Sequence, residues 1–419
     1  MCNEKYYIQM QKFKSSLVQD LQDRGFIYQS TNMDGLDEIL SKEKITAYVG
    51  FDCTAKSFHV GNLMQIMLMR KLQQHGHTPI ILLGGATTRI GDPSDKQGLR
   101  KILTNEEIEE NKASLSKTFH KFLNFSNDIP NPAIIVDNLE WLGGVKYLDF
   151  LREYGVHFSI NRMLTFDSVK NRLDRETQLT FLEFNYMLLQ AYDFLELYKK
   201  YNCKLQFGGS EQWGNIVSGI ELGRRVVGAE LFGITTPLIT NSSGAKMGKT
   251  ASGAVWMNPE MLSPYDYWQF WRNTSDADVL KFMKLYTEIP VDEIDNFNNL
   301  DGKELNELKK RLADEATSLC HDYESAKKAR KTSEDTFEKG LSTEDLPIHN
   351  ISEDTPLYKI LVDTSLASSN SEARKLIIGK GVKLDDVLIS DERFILKAQG
   401  VETIKLSVGK KKHIILKFN

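Results

Sequence analysis

The sequence contains 419 residues, roughly three times the length of a typical domain, so two or three domains are expected. Its 41% hydrophobic and 26% charged residues form an ordinary globular composition, which argues against a disordered or low-complexity chain. The apolar runs stop well short of the ~20 residues needed to span a bilayer, and residues 1–14 lack a signal-peptide core. These features predict a soluble protein that is not exported.

The four cysteines predict a reducing compartment. Cys2, Cys53, Cys203 and Cys320 lie far apart and form no Cys-x-x-Cys pair, so we expect neither a disulfide framework nor a structural zinc site. A cytoplasmic protein without a dedicated metal site is therefore predicted.

Charge is distributed unevenly along the chain. The net charge of −4, from 53 Lys and Arg against 57 Asp and Glu, would by itself count against a nucleic-acid partner. Residues 356–419, however, hold 12 Lys and Arg against 7 Asp and Glu, a balance of +5, which leaves −9 for the rest of the chain. A basic module attached to an acidic body is typical of a protein in which only one part contacts phosphate.

The first half of the chain alternates helices with buried strands. In chain order, the predicted elements are helices at residues 15–24 and 34–43, a strand at 45–51, a helix at 63–74, and strands at 79–83 and 133–136. This alternation predicts an α/β fold with a doubly wound, Rossmann-like parallel sheet. Functional residues should then follow the carboxyl ends of the strands.

The second half is mainly helical and ends in a small mixed segment. The predicted elements are a helix at residues 177–201, a strand at 205–207, a polar loop at 241–250, helices to about residue 335, and, after residue 356, two short helices with strands near 382–384, 393–396 and 414–418. Residues 333–355 are polar and lack sustained periodicity, so a linker is predicted there. The apolar stretch at residues 141–158 is predicted to be helical and is a candidate interface.

The segment between the strand at residues 45–51 and the following helix is a candidate phosphate site. Helix N-termini present free amide groups and a positive dipole end, and Gly61 permits close approach of the backbone. His59, Asn62 and Thr54 can donate further hydrogen bonds to phosphate oxygens. Taken alone, His59 is better explained as a residue that caps the helix, so the functional interpretation depends on the other motifs.

A second candidate lies in the polar loop at residues 241–250. Lys246 and Lys249 stand three residues apart among glycine and serine, so the loop can close over a polyphosphate and place two ammonium groups against a leaving group. Taken alone, a solvated basic loop is the simpler explanation. Together with His59, roughly 190 residues upstream, the two elements resemble those of class I aminoacyl-tRNA synthetases.

Residues 59–62 match the HIGH motif of that family, and residues 246–250 match its KMSKS motif. Two departures are present. Asn62 takes the place of the final histidine and still offers a hydrogen-bonding side chain. Gly248 and Thr250 take the places of the two serines, whereas both lysines remain.

The helix predicted at residues 177–201 carries a candidate amino-acid site. Tyr186, Gln190 and Asp193 fall at i, i+4 and i+7 and therefore share one face among apolar neighbours. Buried polar groups need partners, which a small polar ligand would supply, although periodicity alone allows equally well that this is the solvent face. Asp193 could accept a hydrogen bond from a phenol whose hydroxyl is shared with Tyr48.

Five segments resemble bacterial tyrosyl-tRNA synthetases and extend the resemblance over essentially the whole chain. They are residues 48–52 (YVGFD), 84–87 (GGAT), 91–94 (GDPS), 185–193 (NYMLLQAYD) and 208–215 (GGSEQWGN). By this resemblance, the substrate-binding residues are Tyr48 and Asp193 for the tyrosine hydroxyl, Tyr186, Gln190 and Asp92 for its amino group, and Gln212 near its carboxylate. The implied ATP-binding residues are Gly50, Asp52, His59, Gly61, Asn62, Gly209, Glu211 and Lys249, with Glu211 standing where the family more often has Asp.

The resemblance also implies the reaction. The tyrosine carboxylate, already ionised near neutral pH, attacks the α-phosphate of ATP, pyrophosphate leaves with magnesium, and the tyrosyl-adenylate acylates the 3′-terminal adenosine of the tRNA. The residues implied in positioning and charge stabilisation are Thr54, His59, Asn62, Lys246, Lys249, Thr250, Lys96 and Arg100. Lys96 and Arg100 match mobile-loop residues that contact pyrophosphate in the family, although ordinary surface charge would also explain them.

The basic tail suits RNA. Residues 371–384 resemble a small RNA-binding module shared by a ribosomal small-subunit protein and many RNA-modifying enzymes, in which Arg374, Lys375, Lys380 and Lys383 would meet backbone phosphate. Taken singly, each of them is better explained as solvated surface. The resulting division is a catalytic domain at residues 1–245, the lysine loop and an α-helical anticodon-binding domain at 246–335, a linker at 336–350 and an RNA-binding domain at 351–419. The resemblance further implies a homodimer that binds tyrosine tRNA, L-tyrosine and ATP.

Three other interpretations remain. A catalytically inactive, synthetase-derived RNA-binding protein could lose its phosphate-handling residues, yet His59, Lys246 and Lys249 are all present. A tryptophanyl enzyme is disfavoured because Tyr48 and Asp193 suit a phenol. A small-metabolite adenylyltransferase would leave the helical region and the basic tail without a use.

Overall fold

The chain forms two compact units. The computed structural model describes residues 12–93, 103–242, 244, 246–250, 253–298, 300–337, 346–385, 387–397, 403–409 and 412–418. The first unit comprises Met1–Thr240 and Leu280–Asn298, and the second comprises Asn241–Val279 and Asn299–Asn419.

Helices and strands are numbered in chain order. The α-helices as far as residue 240 are α1 (Ser16–Arg24), α2 (Met33–Lys42), α3 (Val60–Gln74), α4 (Asn105–Phe122), α5 (Leu139–Leu142), α6 (Tyr147–Glu153), α7 (Ile160–Met163), α8 (Asp167–Asp174), α9 (Phe181–Tyr201) and α10 (Trp213–Val227). Those beyond residue 240 are α11 (Pro264–Arg272), α12 (Val279–Tyr286), α13 (Val291–Asp295), α14 (Gly302–Cys320), α15 (Tyr323–Phe337), α16 (Leu357–Asp363) and α17 (Asn370–Ile378). The β-strands as far as residue 240 are β1 (Gln29–Ser30), β2 (Thr46–Phe51), β3 (Thr78–Leu83), β4 (Ile134–Asp137), β5 (Cys203–Gly209) and β6 (Phe232–Thr236). Those beyond it are β7 (Lys249–Thr250), β8 (Gly253–Ala254), β9 (Ile348–Ile351), β10 (Thr355–Pro356), β11 (Val382–Leu384), β12 (Val387–Ile389), β13 (Ile395–Leu396), β14 (Thr403–Val408) and β15 (Lys412–Phe418).

A six-stranded sheet with the order β1-β6-β5-β2-β3-β4 forms the centre of the first unit. Strands β2 to β6 pair in parallel, whereas β1 runs antiparallel to β6 at one edge. The strand order reverses between β2 and β5, and in a doubly wound sheet ligands bind beyond the carboxyl ends of the strands at that point. The predicted doubly wound parallel sheet is confirmed.

Helix α9 packs on the sheet face that carries Tyr48 and Ile80. The helix begins at Phe181 because Thr180 and Glu183 form a capping box, in which each side chain accepts the backbone N–H of the other residue. It ends at Tyr201, because the next residue, Asn202, adopts a left-handed conformation with φ 49°. The predicted helix at residues 177–201 was therefore right in type and in its end, but four residues early at its start.

Two predicted segments differ from the structure. Residues 141–158 are not one helix, because α5 ends at Leu142, two glycines follow, and a separate helix begins at Tyr147. The predicted linker at residues 333–355 contains the end of α15 and the strand β9, which pairs in parallel with β15. The division of the chain into four segments, with its linker at residues 336–350, stays a prediction.

The second unit contains a helical part and a small sheet. The helices α11, α14 and α15 surround fully buried aromatic side chains that include Trp268 and Trp271. The five-stranded sheet has the order β12-β11-β14-β15-β9, and α16 and α17 pack on it. The two predicted helices and the predicted strands near residues 382–384, 393–396 and 414–418 are confirmed, whereas β9, β12 and β14 were not predicted.

The described cysteines Cys53, Cys203 and Cys320 are buried thiols outside any disulfide. Within the part of the chain that the structure describes, no helix is both long enough and apolar enough to cross a membrane.

His77 joins the beginnings of two central strands. Its side chain is buried, and its Nδ1 accepts a hydrogen bond from the Ile45 backbone N–H at 3.3 Å. Its carbonyl oxygen accepts another from the Asn131 side chain at 3.0 Å. Burial, together with the nearby positive charges of His75 and Lys44, lowers the pKa of His77 from 6.5 to about 4.

We expect His77 to make the fold sensitive to acid. Because the pKa is lower in the folded state, the unfolded chain takes up a proton first as the pH falls. The contribution of His77 to the free energy of unfolding is therefore complete above about pH 6.5 and is lost between about pH 6.5 and 4. His77→Gln keeps an acceptor but cannot titrate, so its urea midpoint should fall less than that of the wild type when the pH is lowered across this interval. Equal falls in both proteins would show that the acid sensitivity has another source.

Candidate active site

Polar side chains converge beyond the carboxyl ends of the central strands and beside the middle of α9. The hydrogen-bonded members of this group are Asp52 after β2, Thr87 and Asp92 after β3, Asn138 and Trp141 after β4, Gln212 and Asn215 after β5, and Tyr186, Gln190 and Asp193 on α9. This is the place where a doubly wound sheet binds ligands.

Tyr48 and Asp193 form the deepest part of this group, with exposed fractions of 0% and 2%. The Tyr48 hydroxyl makes no hydrogen bond to any described residue, and its ring packs edge-on against Phe194 with 5.2 Å between centroids. Burial, with the charge of Asp193 beside it, raises the pKa of Tyr48 well above its usual value. A buried hydroxyl without a partner is costly, so this position favours a polar ligand.

Two side chains that follow β4 orient the Asp193 carboxylate. Trp141 Nε1 donates to Oδ1 at 2.7 Å, and Asn138 Nδ2 donates to Oδ2 at 3.0 Å. Burial raises the pKa of Asp193 to about 7, and the negative charge of Asp52 adds to this, whereas the two donors act in the opposite direction. A ligand hydroxyl between Tyr48 and Asp193 can donate to the carboxylate and accept from the phenol.

Asn138 connects the ends of three elements. Besides its bond to Asp193, its Oδ1 accepts the Ala86 backbone N–H at 2.8 Å and its Nδ2 donates to Thr87 Oγ1 at 3.0 Å. The preceding residue, Asp137, accepts the Gly85 backbone N–H at 3.0 Å. A Cβ atom at Gly85 would lie 2.2 Å from the Asp137 carboxylate, so the turn after β3 requires glycine for this close approach.

Asp52 is connected to Asn138 through Thr87. Thr87 Oγ1 donates to its Oδ1 at 2.9 Å, and the Tyr186 hydroxyl donates to its Oδ2 at 3.2 Å. Burial, together with the charges of Asp52 and Asp92, raises the pKa of Tyr186 well above its usual value. The structure thus joins Asp52, expected on the adenosine side, to Tyr186, expected at the amino group of tyrosine.

The amide side chains form a chain of hydrogen bonds. Asn215 Nδ2 donates to the Oε1 atoms of both Gln190 and Gln212 at 3.0 Å. Gln190 Nε2 donates to Gln212 Oε1 at 3.2 Å, and Gln212 Nε2 donates to Asp92 Oδ2 at 2.6 Å. Three residues predicted to surround the amino and carboxylate groups of a ligand are therefore in direct contact.

His59 caps helix α3, as the simpler interpretation of its sequence position predicts. Its Nδ1 accepts the Gly61 backbone N–H at 3.0 Å, and the Asn62 side chain accepts the His59 backbone N–H at 3.2 Å. Because Nδ1 is an acceptor, the neutral ring carries its proton on Nε2, which can donate to a ligand. Capping and phosphate binding are thus compatible functions of one histidine.

The other residues predicted on the nucleotide side lie at the surface of the first unit. Thr54, Gly50, Gly61 and Glu211 are exposed, and a Cβ atom at Gly209 would lie 2.3 Å from the Glu211 carboxylate.

Among the residues that the structure describes, no group of three or more His, Cys, Asp or Glu could hold a metal ion.

Lys246, Lys249 and Thr250 belong to the second unit. Lys246 is exposed, and the predicted polar loop ends in the short strand β7, in which Lys249 pairs with Ala254 of β8. Gly248 precedes β7 with φ 89°, a left-handed conformation that suits glycine. Lys96 and Arg100 lie outside the described residues.

The predicted RNA-binding residues occupy different parts of the small sheet domain. Arg374 on α17 lies 4.2 Å from the centre of the Tyr358 ring and 3.8 Å from the Glu392 carboxylate. Lys375 is exposed on the same helix, Lys380 follows it with φ 59°, and Lys383 is exposed on β11. Arg374 is therefore already engaged within its own domain.

Four polar residues of the site were not predicted from the sequence. They are Thr87, Asn138, Trp141 and Asn215, which hold the predicted residues in position. The sequence feature that could have indicated them is their position, since each follows closely after a strand of the parallel sheet. A single sequence does not indicate which polar residue after a strand turns inward.

Comparisons with known proteins find similar chains over most of the length of this one. Residues 40–338 match the family model described as tRNA synthetases class I (W and Y). A tyrosine–tRNA ligase of Xanthobacter autotrophicus is 53% identical over 417 residues, covering 97% of this chain and 99% of the relative, and one of Rhodospirillum rubrum is 52% identical, covering 96% and 98%. Among solved structures, a C-terminally truncated mitochondrial tyrosyl-tRNA synthetase of Aspergillus nidulans has a TM-score of 0.69 at 27% identity, covering 80% of this chain and 99% of that one.

Proposed function

The chain belongs to the tyrosine–tRNA ligases, class I aminoacyl-tRNA synthetases that use ATP to join tyrosine to its tRNA, and we propose which of its residues perform each step. The Xanthobacter and Rhodospirillum relatives are ligases, and neither supports a catalytically inactive RNA-binding protein. The observation that carries the residue assignment is the unpartnered Tyr48 hydroxyl beside the buried Asp193 carboxylate.

Tyr48 and Asp193 bind the hydroxyl of the tyrosine substrate. The substrate donates its phenolic proton to Asp193 and accepts a hydrogen bond from Tyr48, which supplies the partner that the Tyr48 hydroxyl lacks. Phenylalanine would leave both buried groups without this partner. A buried polar group that lacks a hydrogen-bond partner makes the free energy of binding less favourable. Selection of tyrosine therefore follows from polarity more than from size.

The amino and carboxylate groups of tyrosine bind at the amide chain. Tyr186, Gln190 and Asp92 receive the α-ammonium group, which is attracted by the negative charge that surrounds Tyr186. Gln212, hydrogen-bonded to both Gln190 and Asp92, lies near the carboxylate. This arrangement points the carboxylate towards the nucleotide.

Activation needs no general base, because the tyrosine carboxylate is ionised near neutral pH. A carboxylate oxygen attacks the α-phosphorus of ATP, the bond to the bridging oxygen breaks, and pyrophosphate leaves. Thr54, His59 and Asn62 stabilise the charge at the N-terminus of α3, where the capping bond to Nδ1 places the proton of the neutral His59 ring on Nε2.

The remaining roles rest on the family resemblance. Adenosine lies against Gly50, Asp52, Gly61, Gly209 and Glu211, while Lys246, Lys249, Thr250, Lys96 and Arg100 attract the pyrophosphate. Magnesium would enter with ATP as part of the substrate and would neutralise part of the phosphate charge. The helical part at residues 246–335 contacts the anticodon region, and residues 351–419 contact RNA after a linker at residues 336–350. We place the activity in the cytoplasm, where ATP and tRNA serve protein synthesis, and described cysteines that remain thiols agree with a reducing compartment.

We further propose that the enzyme is a homodimer. Large apolar side chains are exposed in the segment from Tyr147 to Leu182, with Leu148 at 77%, Phe181 at 70% and Ile160 at 62%. Exposed apolar side chains in this number suit an interface better than solvent.

The amino-acid dependence of ATP–pyrophosphate exchange tests the function. We expect tyrosine alone among the twenty amino acids to stimulate exchange. In Lys249→Ala, the exchange rate should fall while the KM for tyrosine changes little, because the lysine acts on the leaving group rather than on tyrosine. Unchanged exchange in this variant would remove Lys249 from the mechanism.

Asn138→Ala tests the positioning of Asp193. In the wild type, kcat/KM for tyrosine should rise with pH around a midpoint near 7, since the ionised carboxylate is the acceptor. Loss of the Asn138 donor should move this midpoint to higher pH and raise the KM for tyrosine about tenfold. Asn131→Ala, another buried asparagine whose side chain donates to backbone outside the site, is the control and should leave the midpoint unchanged.

Analytical ultracentrifugation tests the dimer. The double variant Leu148→Asp, Ile160→Asp should sediment as a monomer, because two buried carboxylates would oppose association. Leu238→Asp, at an exposed leucine outside the proposed interface, should remain dimeric. A dimeric double variant would place the interface elsewhere.

A further inference from the structure

The pairing of the small sheet sorts its side chains onto two faces. Residues opposite each other in neighbouring strands share a face, and successive residues alternate between faces. Val382 pairs with Val408, and Leu384 with Leu406, so these apolar residues share one face. Lys383 pairs with Ser407, which pairs with His413, so these polar residues share the other.

Helices α16 and α17 pack on the apolar face. Their side chains Ile360, Leu361 and Ile377 pack in one cluster with Val382 and Leu406. The opposite face carries Lys383 on β11, Lys405 on β14 and Lys417 on β15. We call this opposite side of the five-stranded sheet the lysine face.

The three lysines form a diagonal row across adjacent strands. Lys383 pairs with Ser407, and Lys405 lies two residues from Ser407 on the same strand. Lys405 in turn pairs with Ile415, and Lys417 lies two residues from Ile415, displaced in the same direction. With strands about 4.8 Å apart and about 3.3 Å per residue, each step is roughly 8 Å. The lysine face therefore presents a line of three positive charges rather than an isolated one.

No acidic side chain occupies a described strand position of the lysine face. The positions in the five strands hold Lys, Leu, Thr, Ser, His, Ile and Asn, and none of the three lysines forms an ion pair with another described residue. Asp385, just beyond β11, accepts the Lys405 backbone N–H at 2.8 Å. On the helical side, by contrast, Arg374 faces Glu392 and stacks on Tyr358.

We propose that the lysine face binds the phosphate backbone of tRNA. The inference rests on the proposed function and adds to it a surface on the side of the sheet away from the helices. Thr403 and Asn350 lie in the same row as Lys417 and are exposed, so they can hydrogen-bond to phosphate oxygens or to ribose 2′-hydroxyls. Contacts of this kind hold RNA in position without reading its bases.

Charge neutralisation at the lysine face tests the proposal in the full-length protein. The variant Lys383→Gln, Lys405→Gln, Lys417→Gln should bind a tyrosine tRNA transcript at least about tenfold more weakly at about 100 mM salt. The slope of log affinity against log salt should become shallower by about 2, because fewer counterions are released. Tyrosine-dependent pyrophosphate exchange should stay at the wild-type rate.

Two further variants distinguish the effect of the position of the charges from the effect of the amount of charge removed. Lys359→Gln, Arg393→Gln, Lys397→Gln removes the same charge from exposed positions of the same domain outside the five-stranded sheet, and should retain nearly full affinity. Replacing the three lysines of the lysine face by arginine should retain affinity as well, since it preserves the charge.

The outcomes distinguish failure of the lysine-face proposal from failure of the proposed ligase function. Unchanged tRNA affinity in the glutamine variant, an equal loss in the off-sheet variant, or loss in the arginine variant would overturn the role of the lysine face. Loss of binding to anionic phosphatidylglycerol vesicles with unchanged tRNA affinity would assign the face to a membrane surface instead. Failure of the proposed function would appear separately, as a wild-type protein without tyrosine-dependent exchange.

Discussion

The proposed active site of this enzyme depends on the burial of one carboxylate. Placing Asp193 almost out of contact with water costs several kcal/mol, and two hydrogen bonds to a charged group return roughly 1.5–3 kcal/mol each. The balance remains unfavourable to the charged form, as the rise of the pKa of Asp193 from 3.8 to about 7 shows, equivalent to about 4 kcal/mol. The protein's own groups therefore leave the carboxylate incompletely stabilised, and a ligand hydroxyl that donates to it supplies the rest. Affinity for tyrosine and stability of the pocket have the same physical origin.

The parallel sheet provides the donors for that carboxylate. Asn138 and Trp141 reach Asp193 because β4 ends beside β3, and the turn after β3 approaches β4 closely because Gly85 has no side chain. The same asparagine also holds Thr87, which donates to Asp52 on the nucleotide side. A single buried asparagine thus connects the part of the site that we assign to tyrosine with the part that we assign to ATP.

The sequence predicts the residues proposed to bind ligands better than it predicts the residues that hold them in position. The i, i+4, i+7 spacing of Tyr186, Gln190 and Asp193 placed them on one face of α9, and the structure decides between solvent and pocket because α9 packs against the sheet. Asn138 could not be predicted in this way, since its role depends on the pairing of β3 with β4, which a local pattern does not contain. The strand β9 was missed for the same reason, because its partner β15 lies near the end of the chain.

The two proposed binding surfaces attract their ligands by different electrostatic means. At the tyrosine pocket, charge is buried and held by specific hydrogen bonds, so salt screens it little and selectivity is high. At the small sheet domain, charge lies at the surface on lysines without acidic partners among the described residues, so attraction is broad and weakened by salt. A small zwitterionic ligand can be distinguished only by close contact, whereas a large polyanion can be attracted from a distance. The acidic first part of the chain and its basic end therefore reflect two physical problems solved in separate places, and the small net charge of −4 is only their sum.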